Sequence, residues 1–423
     1  MSTDSTRLVA VTGLGVVSSL GNTLRASYEN ARRGSSGIRR YEGRWLEGPA
    51  RAHHARVGGA VEGFDPSQHV DPKWLDRQEP ALAFAMAAAH EALADAGLPP
   101  RAEEPDRFGC IVGSGLPGAE LWHRALHAAY VEARADAIPK MCAINITATA
   151  TPGFMAIAMS LRGPCFGVGN ACASGGASIG LAADQIRLGR ADRMLAGGCE
   201  SSMRSLLSYT CFVDAGMNVT DDPTRACSPF SRDRRGFVLA EGAGMLVLER
   251  LDLARARGAR IYAILAGESH ANDAYHVISP DPTGEAWART MRGAIAVSGV
   301  SADDVDIVSA HATATPQGDV AETRAIKAAL GARARDVSVS ATKALHGHAF
   351  GATGAIETAL ALAAFRDGIV LPTINLAVPD PECDLDYVPS EARRRRARVL
   401  VKNSFGAGGV ASSLVFCEPS FAP

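Results

Sequence analysis

Closely spaced cysteine pairs are missing from the chain. Its nine cysteines are odd in number, are scattered between positions 110 and 417, and form no Cys-x-x-Cys pair. Structural zinc sites and disulfide frameworks both rely on characteristic cysteine spacing, so the sequence predicts neither. Reduced thiols are typical of cytoplasmic proteins. We therefore expect a cytoplasmic protein with free cysteines.

An excess of one charge and long apolar runs are also missing. Forty-three lysines and arginines balance forty-five acidic residues, which leaves a net charge of −2. This balance gives no overall attraction to nucleic acid or to an anionic membrane. No apolar run approaches the roughly 20 residues of a membrane-spanning helix, and residues 1–7 lack the basic start of a secretion signal. The sequence predicts neither a nucleic-acid nor a membrane partner.

The patterns that are present indicate alternating α/β layers, because short β-branched runs alternate with alanine-rich helical stretches. The first predicted strand should break at Gly13 and Gly15. The predicted strands cover 8–12, 108–112, 165–168, 194–196, 244–249, 306–310, 337–341 and 399–402, and the predicted helices cover 80–96, 174–188 and 351–365. The chain is too long for one small core and has no low-complexity linker. We predict two halves, 1–260 and 261–423, packed as one body.

The first candidate functional segment is a small-residue turn around Cys172. It reads Gly-Val-Gly-Asn-Ala-Cys-Ala-Ser-Gly-Gly over 167–176, between a predicted strand and a predicted helix. At a helix N-terminus the dipole and the free backbone N–H groups favour a thiolate, and the same N–H groups can stabilise an oxyanion. Cys172 is therefore a candidate nucleophile. The alternative is a structural cysteine, since free cysteine is among the most buried residue types.

Two histidines follow other predicted strands. His311 begins His-Ala-Thr-Ala-Thr after the strand that ends at Ala310, and His348 ends Thr-Lys-Ala-Leu-His-Gly-His (342–348) before a predicted helix. Ligands of α/β sheets bind at such strand ends. Either histidine alone is more often structural, but a cysteine and two histidines at three strand ends favour catalysis. A metal site is the alternative, and the wide sequence spacing argues against it.

A glycine-rich turn and two weaker motifs complete the candidates. Asn-Ser-Phe-Gly-Ala-Gly-Gly at 403–409 either brings backbone N–H groups to a reacting centre or forms a tight hairpin. Residues 113–118 match Gly-x-Gly-x-x-Gly, but Pro117 fits poorly into a phosphate-binding turn, so a structural turn is favoured. The run Arg393–Arg396 is interpreted as a solvated face.

Together these segments resemble the elongating β-ketoacyl-acyl-carrier-protein synthases of the thiolase-like superfamily. The resemblance covers essentially the full length and includes the segments 11–21 (Val-Thr-Gly-Leu-Gly-Val-Val-Ser-Ser-Leu-Gly), 236–244 (Gly-Phe-Val-Leu-Ala-Glu-Gly-Ala-Gly), 273–276 (Asp-Ala-Tyr-His) and 279–284 (Ser-Pro-Asp-Pro-Thr-Gly). It implies a thiolase-like α/β fold of five layers, αβαβα, with two related halves, 1–260 carrying the cysteine and 261–423 carrying the histidines. It also implies a dimer.

The resemblance implies a condensation with no bound cofactor and no metal. Cys172 takes an acyl group from the phosphopantetheine arm of an acyl carrier protein. Malonyl carrier then loses CO₂, and the resulting enolate attacks the Cys172 thioester. His311 and His348 donate hydrogen bonds to the thioester oxygen as it becomes an enolate. Covalent catalysis of this kind divides one difficult step into two easier ones.

Further roles are implied by position. Lys343 orients the histidines, Glu357 pairs with that network, and the backbone N–H groups of Cys172 and Ala407 form an oxyanion hole. The other residues implied to contact the substrate or its pantetheine arm are Thr313, Thr315, Phe405, Ala407, Leu116 and His276.

Three departures from the family pattern stand out. The usual His-Gly-Thr-Gly-Thr is His-Ala-Thr-Ala-Thr, with both threonines kept. His346 is an extra histidine, and the spacing to the glycine-rich helix start favours His348 as the functional one. Ala407 stands where a phenylalanine normally gates the acyl pocket, which removes a large steric block. We expect relaxed gating, or an acyl channel for a stiffer or longer chain.

Several functions fit these observations to different degrees. The leading one is the ketosynthase of a discrete-subunit (type II) polyketide system, a homodimer or a heterodimer with a cysteine-less homologue of the chain-length-factor kind. Ordinary fatty-acid elongation is the first alternative. A carrier-protein-binding scaffold is opposed by the retention of Cys172, His311 and His348. A dinucleotide-dependent oxidoreductase rests only on residues 113–118.

Overall fold

Strands and helices alternate along the chain in the computed structural model, which describes residues 8–41, 57–75, 78–213 and 215–421. The strands are β1 Val9–Val17, β2 Arg39–Arg40, β3 Val57–Gly58, β4 Phe108–Gly113, β5 Cys165–Val168, β6 Arg193–Glu200, β7 Gly242–Arg250, β8 Ala263–Asn272, β9 Ile307–Ser309, β10 Ser338–Ser340, β11 Ile369–Val370, β12 Arg393–Arg394, β13 Val399–Phe405 and β14 Val410–Cys417. The α-helices are α1 Leu24–Arg32, α2 Pro72–Leu75, α3 Pro80–Asp95, α4 Ala119–Leu126, α5 Cys142–Asn145, α6 Ala150–Met159, α7 Ser174–Arg187, α8 Leu206–Val213, α9 Leu251–Ala256, α10 Glu285–Ser298, α11 Pro316–Leu330, α12 Lys343–His346 and α13 Phe350–Arg366.

Ten of these strands form one sheet, in the order β10-β9-β13-β14-β8-β1-β7-β6-β4-β5. The sheet consists of two sets of five strands, β1 with β4–β7 and β8–β10 with β13 and β14. Numbered along the chain, both sets read 3-2-4-5-1 from the outer edge inward, with the same parallel and antiparallel pairings. An antiparallel pairing of Val9–Val11 with Ala263–Leu265 joins the two sets through β1 and β8.

Helices cover and separate the two sets, so the molecule has five layers. α7 and α13 pack on each other and contact strands of both sets, which makes them the central layer. α13 is buried from Phe350 to Phe365 apart from Ala361, because it is apolar on nearly every face. α3 covers the outer face of the first set, and α10 covers the outer face of the second. α11 packs beside α10 and shares a hydrophobic core with the second set. The expected αβαβα architecture is confirmed.

The predicted break of the first strand at Gly13 and Gly15 is wrong. β1 continues to Val17 because these glycines allow α3 to lie directly against it. A β-carbon at Gly13 would lie 2.1 Å from the carbonyl oxygen of Ala92, and one at Gly15 would lie 1.9 Å from that of Ala88. Glycine here permits close helix–sheet contact rather than ending a strand.

The glycine-rich turn is shorter than predicted. Residues 403–405 belong to β13, and the turn itself covers 406–409 before β14 begins. The segment therefore forms a hairpin, with Phe405 paired to Ala411. In the described ranges, no helix is long and apolar enough to cross a membrane.

Candidate active site

The turn that carries Cys172 lies between β5 and α7 and is strained. Ala171 has a φ of 45°, in the left-handed region that L-residues rarely adopt. Ser174 holds the turn: its hydroxyl accepts a hydrogen bond from the Asn170 N–H at 2.8 Å and donates one to the Ala171 carbonyl at 2.6 Å. This arrangement places Cys172 at the wall of a pocket, at the start of a buried helix.

The surroundings of the Cys172 thiol oppose the thiolate form that the helix start alone would favour. Burial raises the pKa of the Cys172 thiol to about 12, although the Lys343 ammonium group and the backbone N–H groups of Ala407 and Cys172 act in the opposite direction. The stabilisation of a thiolate by the helix N-terminus is therefore smaller than the cost of removing that thiolate from water. The raised pKa favours the neutral thiol. The two N–H groups still converge on its sulfur, at the position predicted for an oxyanion hole.

His311 follows β9 and His348 precedes α13, and their rings meet edge to face at 5.6 Å. Nδ1 of His348 lies 3.0 Å from the Thr353 hydroxyl, and its Nε2 has no hydrogen-bond partner among the described residues. Nδ1 of His311 lies 3.4 Å from Nζ of Lys343. An ammonium group only donates, so Nδ1 of His311 accepts and its Nε2 carries the hydrogen. Both rings can thus present an Nε2–H donor.

Both histidines are neutral at physiological pH. Burial lowers the pKa of each ring well below its usual value, and the positive charge of Lys343 lowers it further. Lys402 acts in the same direction on both rings. A neutral imidazole can donate a hydrogen bond to an oxygen without first giving up a proton.

Behind the histidines, the carboxylate of Glu357 lies between two buried lysines. Lys343 Nζ is 3.0 Å from Glu357 Oε1, and Lys402 Nζ is 2.9 Å from Oε2. Burial alone would raise the pKa of Glu357, but the two ammonium groups outweigh it and hold the pKa below its usual range. Lys343 also donates to the His311 carbonyl. Lys343 therefore contacts His311, and Glu357 pairs with Lys343, in the arrangement that the resemblance implies.

Glu322, Asn403 and Lys402 are the residues that sequence reasoning missed. The Glu322 carboxylate accepts hydrogen bonds from the backbone N–H groups of His311 (2.8 Å) and Ala312 (2.7 Å), and from the Asn403 side chain (3.2 Å). Lys402 donates to the Asn403 carbonyl. The available signal was a charged residue inside an otherwise apolar strand, Val399-Leu-Val-Lys402.

The His-Ala-Thr-Ala-Thr loop is held in an unusual backbone conformation. Ala312 and Ala314 both have positive φ, 38° and 60°. The Thr313 and Thr315 hydroxyls are 3.1 Å apart, and the Thr315 hydroxyl also caps α11 by accepting from the Gly318 N–H at 3.2 Å. Both threonines line the pocket, as the resemblance implies.

One pocket brings most of the predicted residues together. Its lining includes Cys172, His311, Thr313, Thr315, His348, Phe405 and Ala407. Phe405 stacks on Trp287 at 4.2 Å between ring centroids, and Phe350 stacks on Phe212 at 4.1 Å and on His348 at 4.8 Å. The pocket therefore has aromatic walls on two sides, with only a methyl group at Ala407.

Two predicted substrate contacts lie outside this lining. Leu116 sits in the turn after β4, where its N–H donates to Glu200, and His276 sits in an exposed loop, where its Nδ1 accepts from the N–H groups of Ile278 and Ser279. The assignment of both residues as substrate contacts stays a prediction; His276 shapes a loop whose residues Ile278 and Ser279 do line the pocket. His346 is buried behind the pocket, 3.2 Å from the Thr342 hydroxyl.

The weaker motifs have structural explanations. The N–H groups of Gly115 and Leu116, which a phosphate would need, donate to the Glu200 carboxylate at 2.8 and 3.2 Å. Arg393 and Arg394 form an exposed strand, and Arg393 is paired with Asp386. Across the described ranges, no group of three or more His, Cys, Asp or Glu side chains is placed to hold a metal ion.

Comparison with known sequences gives matches over nearly the whole chain. Residues 6–254 match the family described as Beta-ketoacyl synthase, N-terminal domain, and residues 262–377 match Beta-ketoacyl synthase, C-terminal domain. The 3-oxoacyl-[acyl-carrier-protein] synthase 2 of Staphylococcus aureus (strain COL) is 38% identical over 408 residues, which cover 96% of this chain and 97% of that protein. The protein of the same name from Synechocystis sp. is 38% identical over 410 residues.

Solved structures share the fold closely. A type II PKS acyl-carrier protein in complex with its ketosynthase bound to the hexaketide matches with a TM-score of 0.89 and 32% identity, over 97% of this chain and 99% of that chain. The ishigamide ketosynthase/chain length factor matches with a TM-score of 0.88 and 31% identity over the same shares. A beta-ketoacyl synthase from Burkholderia phymatum STM815 matches with a TM-score of 0.89 and 31% identity.

Proposed function

Because this chain belongs to the β-ketoacyl synthase family, we propose that it condenses an acyl group carried on Cys172 with malonyl-acyl-carrier protein. The observation that carries this proposal is the convergence of one thiol, two neutral histidines and two backbone N–H groups on a single pocket. No cofactor is required by this chemistry. The nine free thiols agree with a cytoplasmic location.

The proposed acyl transfer begins at the carbonyl of an acyl-carrier thioester. The Cys172 sulfur bonds to the carbonyl carbon, and the oxygen that gains charge accepts hydrogen bonds from the N–H groups of Cys172 and Ala407. The carrier's C–S bond then breaks, and the thiol proton of Cys172 ends on the departing pantetheine thiol. Burial raises the pKa of the Cys172 thiol, so this proton must be removed as part of the acyl transfer.

The proposed condensation starts from malonyl carrier. Its carboxylate leaves as CO₂, and the electron pair of the broken C–C bond enters an enolate whose oxygen accepts hydrogen bonds from Nε2–H of His311 and His348. The enolate carbon attacks the Cys172 thioester, the Cys172 C–S bond breaks, and the thiolate takes up a proton from water. The products are a β-ketoacyl-carrier thioester, CO₂, the free enzyme and one hydroxide ion, which is equivalent to the uptake of one proton from solvent.

Mass spectrometry tests both stages. We expect an acyl adduct on Cys172 after incubation with acyl carrier, and a β-ketoacyl carrier once malonyl carrier is added. Cys172→Ala should abolish both, whereas Cys211→Ala, at an exposed cysteine, should keep both. An adduct without any condensation product would favour the scaffold alternative. Absence of the adduct and the product would contradict the proposed function.

Within this reaction, we propose the ketosynthase role in a type II polyketide system. Support comes from Ala407, which leaves one wall of the pocket open, and from the likeness to polyketide ketosynthases. The sequence relatives named 3-oxoacyl-[acyl-carrier-protein] synthase 2 favour fatty-acid elongation as the second candidate. Product masses from a panel of primers, with and without a cysteine-less homologue, separate the two. Efficient repeated elongation that requires the homologue supports the polyketide role.

We propose that the outer edge at β5 binds this homologous partner subunit or a second copy of the chain. β5 is the last strand of the sheet, and Phe166 on it is 50% exposed. Neighbouring α6 exposes Ile157 (79%), and the segment α4–α5 exposes Tyr130 and Met141. An exposed apolar edge strand is a typical pairing surface. Phe166→Asp should convert the assembly to monomers in light scattering, whereas Val297→Asp, exposed on α10, should not.

A further inference from the structure

Lys402 is an ammonium group buried in the middle of a strand. Every residue of β13 is buried, and the Lys402 side chain is fully inaccessible. A buried charge is costly unless it is paired and hydrogen-bonded. Lys402 meets that condition with two acceptors, Glu357 Oε2 at 2.9 Å and the carbonyl of Asn403. Burial lowers the pKa of Lys402, and the neighbouring Glu357 carboxylate acts in the opposite direction by favouring the charged ammonium form.

The position of Lys402 connects two networks behind the histidines. On one side it shares Glu357 with Lys343, which contacts His311. On the other it holds the carbonyl of Asn403, whose side chain donates to Glu322. Two buried carboxylates and two buried ammonium groups thus balance one another. Without Lys402, the network would carry an unbalanced negative charge beside the place where an anion must form.

We propose that Lys402 is a positioning residue of this site, which fixes the Glu357 carboxylate and balances the charge of the buried network behind the two histidines. The inference rests on the proposed condensation, in which an enolate oxygen forms next to those histidines. Positive charge close to a developing anion stabilises it most where water is excluded. Lys402 itself does not line the pocket, so it acts through other residues.

The charges around the histidines agree with this role. Lys402 lowers the pKa of both His311 and His348, after the larger effects of burial and Lys343. Other titratable groups near the rings include His346 on α12, Glu357 on α13, Glu322 on α11, Cys172 on the turn before α7, and Asp273, which lines the same pocket. Removing one positive charge should therefore make both rings easier to protonate.

A charge series tests the proposal. Lys402→Met keeps the side-chain volume and removes the charge; Glu357→Gln removes a negative charge; the double variant removes both. We expect Lys402→Met to lower kcat for condensation by about 10- to 100-fold with little change in KM. The acid limb of its pH profile should move to higher pH, by roughly half a unit or more. In the double variant the acid limb should return towards its wild-type pH, and in Glu357→Gln it should lie at lower pH than in the wild type.

Lys327→Met is the matched control, because it removes a lysine from an exposed ion pair with Asp384. It should leave kcat and the pH profile unchanged. If Lys402→Met lowers kcat and thermal stability but leaves the acid limb in place, the residue is merely structural and the proposal is overturned. If Lys402→Met does not fold, the comparison of Glu357→Gln with the double variant still tests the proposal. These two variants differ only at position 402, so the acid limb of the pH profile must lie at higher pH in the double variant.

Histidine-ring NMR separates this inference from the proposed function. Titration of ¹⁵N-labelled wild type and Lys402→Met should show both active-site rings protonating at higher pH in the variant, whether or not condensation occurs. Unchanged titration would sink the role of Lys402 alone. Loss of condensation in the wild type, with the expected titration difference, would sink the proposed function alone.

Discussion

At the scale of single residues, the two alanines of the active-site loop carry an unusual conformational cost. Ala312 and Ala314 occupy the left-handed region, where an L-residue is disfavoured by about 1–2 kcal/mol. Both methyl groups are fully buried, which offsets part of that cost. Alanine also narrows the conformations open to the loop in the unfolded chain. Burial of the methyl groups and the smaller number of unfolded conformations therefore offset part of the backbone strain in this loop, which lies beside His311.

Ala314→Gly tests this balance. We expect the substitution to change the free energy of unfolding by less than about 1 kcal/mol, because relief of strain offsets the lost methyl and the added chain entropy. The matched control is Ala359→Gly, at a buried position inside α13, which should cost about 1–2 kcal/mol. Urea denaturation measures both. Equal losses at the two positions would contradict the presence of strain at Ala314.

Ala407→Phe tests the open wall of the pocket. The backbone N–H of residue 407 remains, so short primers should be accepted with kcat/KM within about 3-fold of wild type. Long primers should lose at least about 10-fold, because an aromatic ring fills the space that they need. Competition between primers of different length, read as Cys172 adducts by intact mass, gives the ratio. An unchanged ratio would show that Ala407 does not set chain length.

The catalytic candidates that could be predicted from the sequence are residues of uncommon, reactive types. A cysteine and two histidines at strand ends are conspicuous, and His311, His348 and Cys172 do meet in one pocket. The protonation state of the Cys172 thiol could not be predicted from the sequence, because the net effect of burial and the helix dipole on its pKa depends on the tertiary environment. The role of Glu322 could not be predicted, because a carboxylate on an amphipathic helix normally faces water.

At the scale of elements, the turn between β4 and α4 is organised around a buried carboxyl group. Glu200, at the end of β6, accepts from the N–H groups of Gly115, Leu116 and Gly351. Burial raises the pKa of Glu200 to about 7 despite these hydrogen bonds. Its folded-state pKa lies above the unfolded value, so its contribution to stability is fully present at low pH and is lost as the pH rises towards 7.

Glu200→Gln should therefore act differently at two pH values. At pH 5 the native Glu200 is protonated, and a neutral amide should change the free energy of unfolding little. At pH 8 the native carboxylate is charged and buried, so the variant should be more stable than wild type by about 2–3 kcal/mol. Urea unfolding at both pH values measures the difference. A variant that is destabilised equally at both would refute the raised pKa.

Contact between β1 and α3 gives a second prediction at this scale. Gly15→Ala places a methyl group against the Ala88 carbonyl, where there is no room, and should cost at least about 3 kcal/mol. Gly153→Ala is the control: it lies within α6 with open space around its Cα, and alanine there should stabilise by up to about 1 kcal/mol. Thermal unfolding compares the two. Comparable behaviour would show that α3 can shift away from β1.

Elements with regular apolar patterns were predictable, whereas two strands with polar stretches were missed. β5 and α3 match the predicted ranges closely, because apolar runs end at glycine or proline there. β14 was missed since Ser412 and Ser413 interrupt its apolar pattern although both are buried. β8 was missed because it ends in the polar stretch 268–272.

At the scale of the whole molecule, the two sets of five strands repeat one topology without a visible repeat in sequence. We propose that the halves divide between residues 260 and 261, in the connection from α9 to β8. The central pair of α7 and α13 and the β1–β8 pairing hold the sets together without that connection. The α/β class was predictable from the alternation of strands and helices, and the five-layered arrangement from the family resemblance. The strand order was not, since pairing joins distant segments.

Cutting the connection tests this view. A protease site inserted after Gly258, which has open space around it, should yield two fragments on a denaturing gel after cleavage. In native size-exclusion chromatography the cleaved protein should still elute as one body and keep its condensation activity. Separation of the fragments would show that the covalent connection is needed. Uncleaved protein with the same insertion is the control.

The central place of β1 also has a consequence for the order in which the protein is made. β1 leaves the ribosome before the other strands of its sheet, yet both of its neighbours, β7 and β8, are synthesised more than 200 residues later. A chain with such distant pairings folds late and slowly. Cys172 likewise emerges well before His311, His348 and Ala407. The growing chain thus carries the Cys172 thiol without the groups that would let it react, and catalytic competence arrives only after Ala407 has been synthesised.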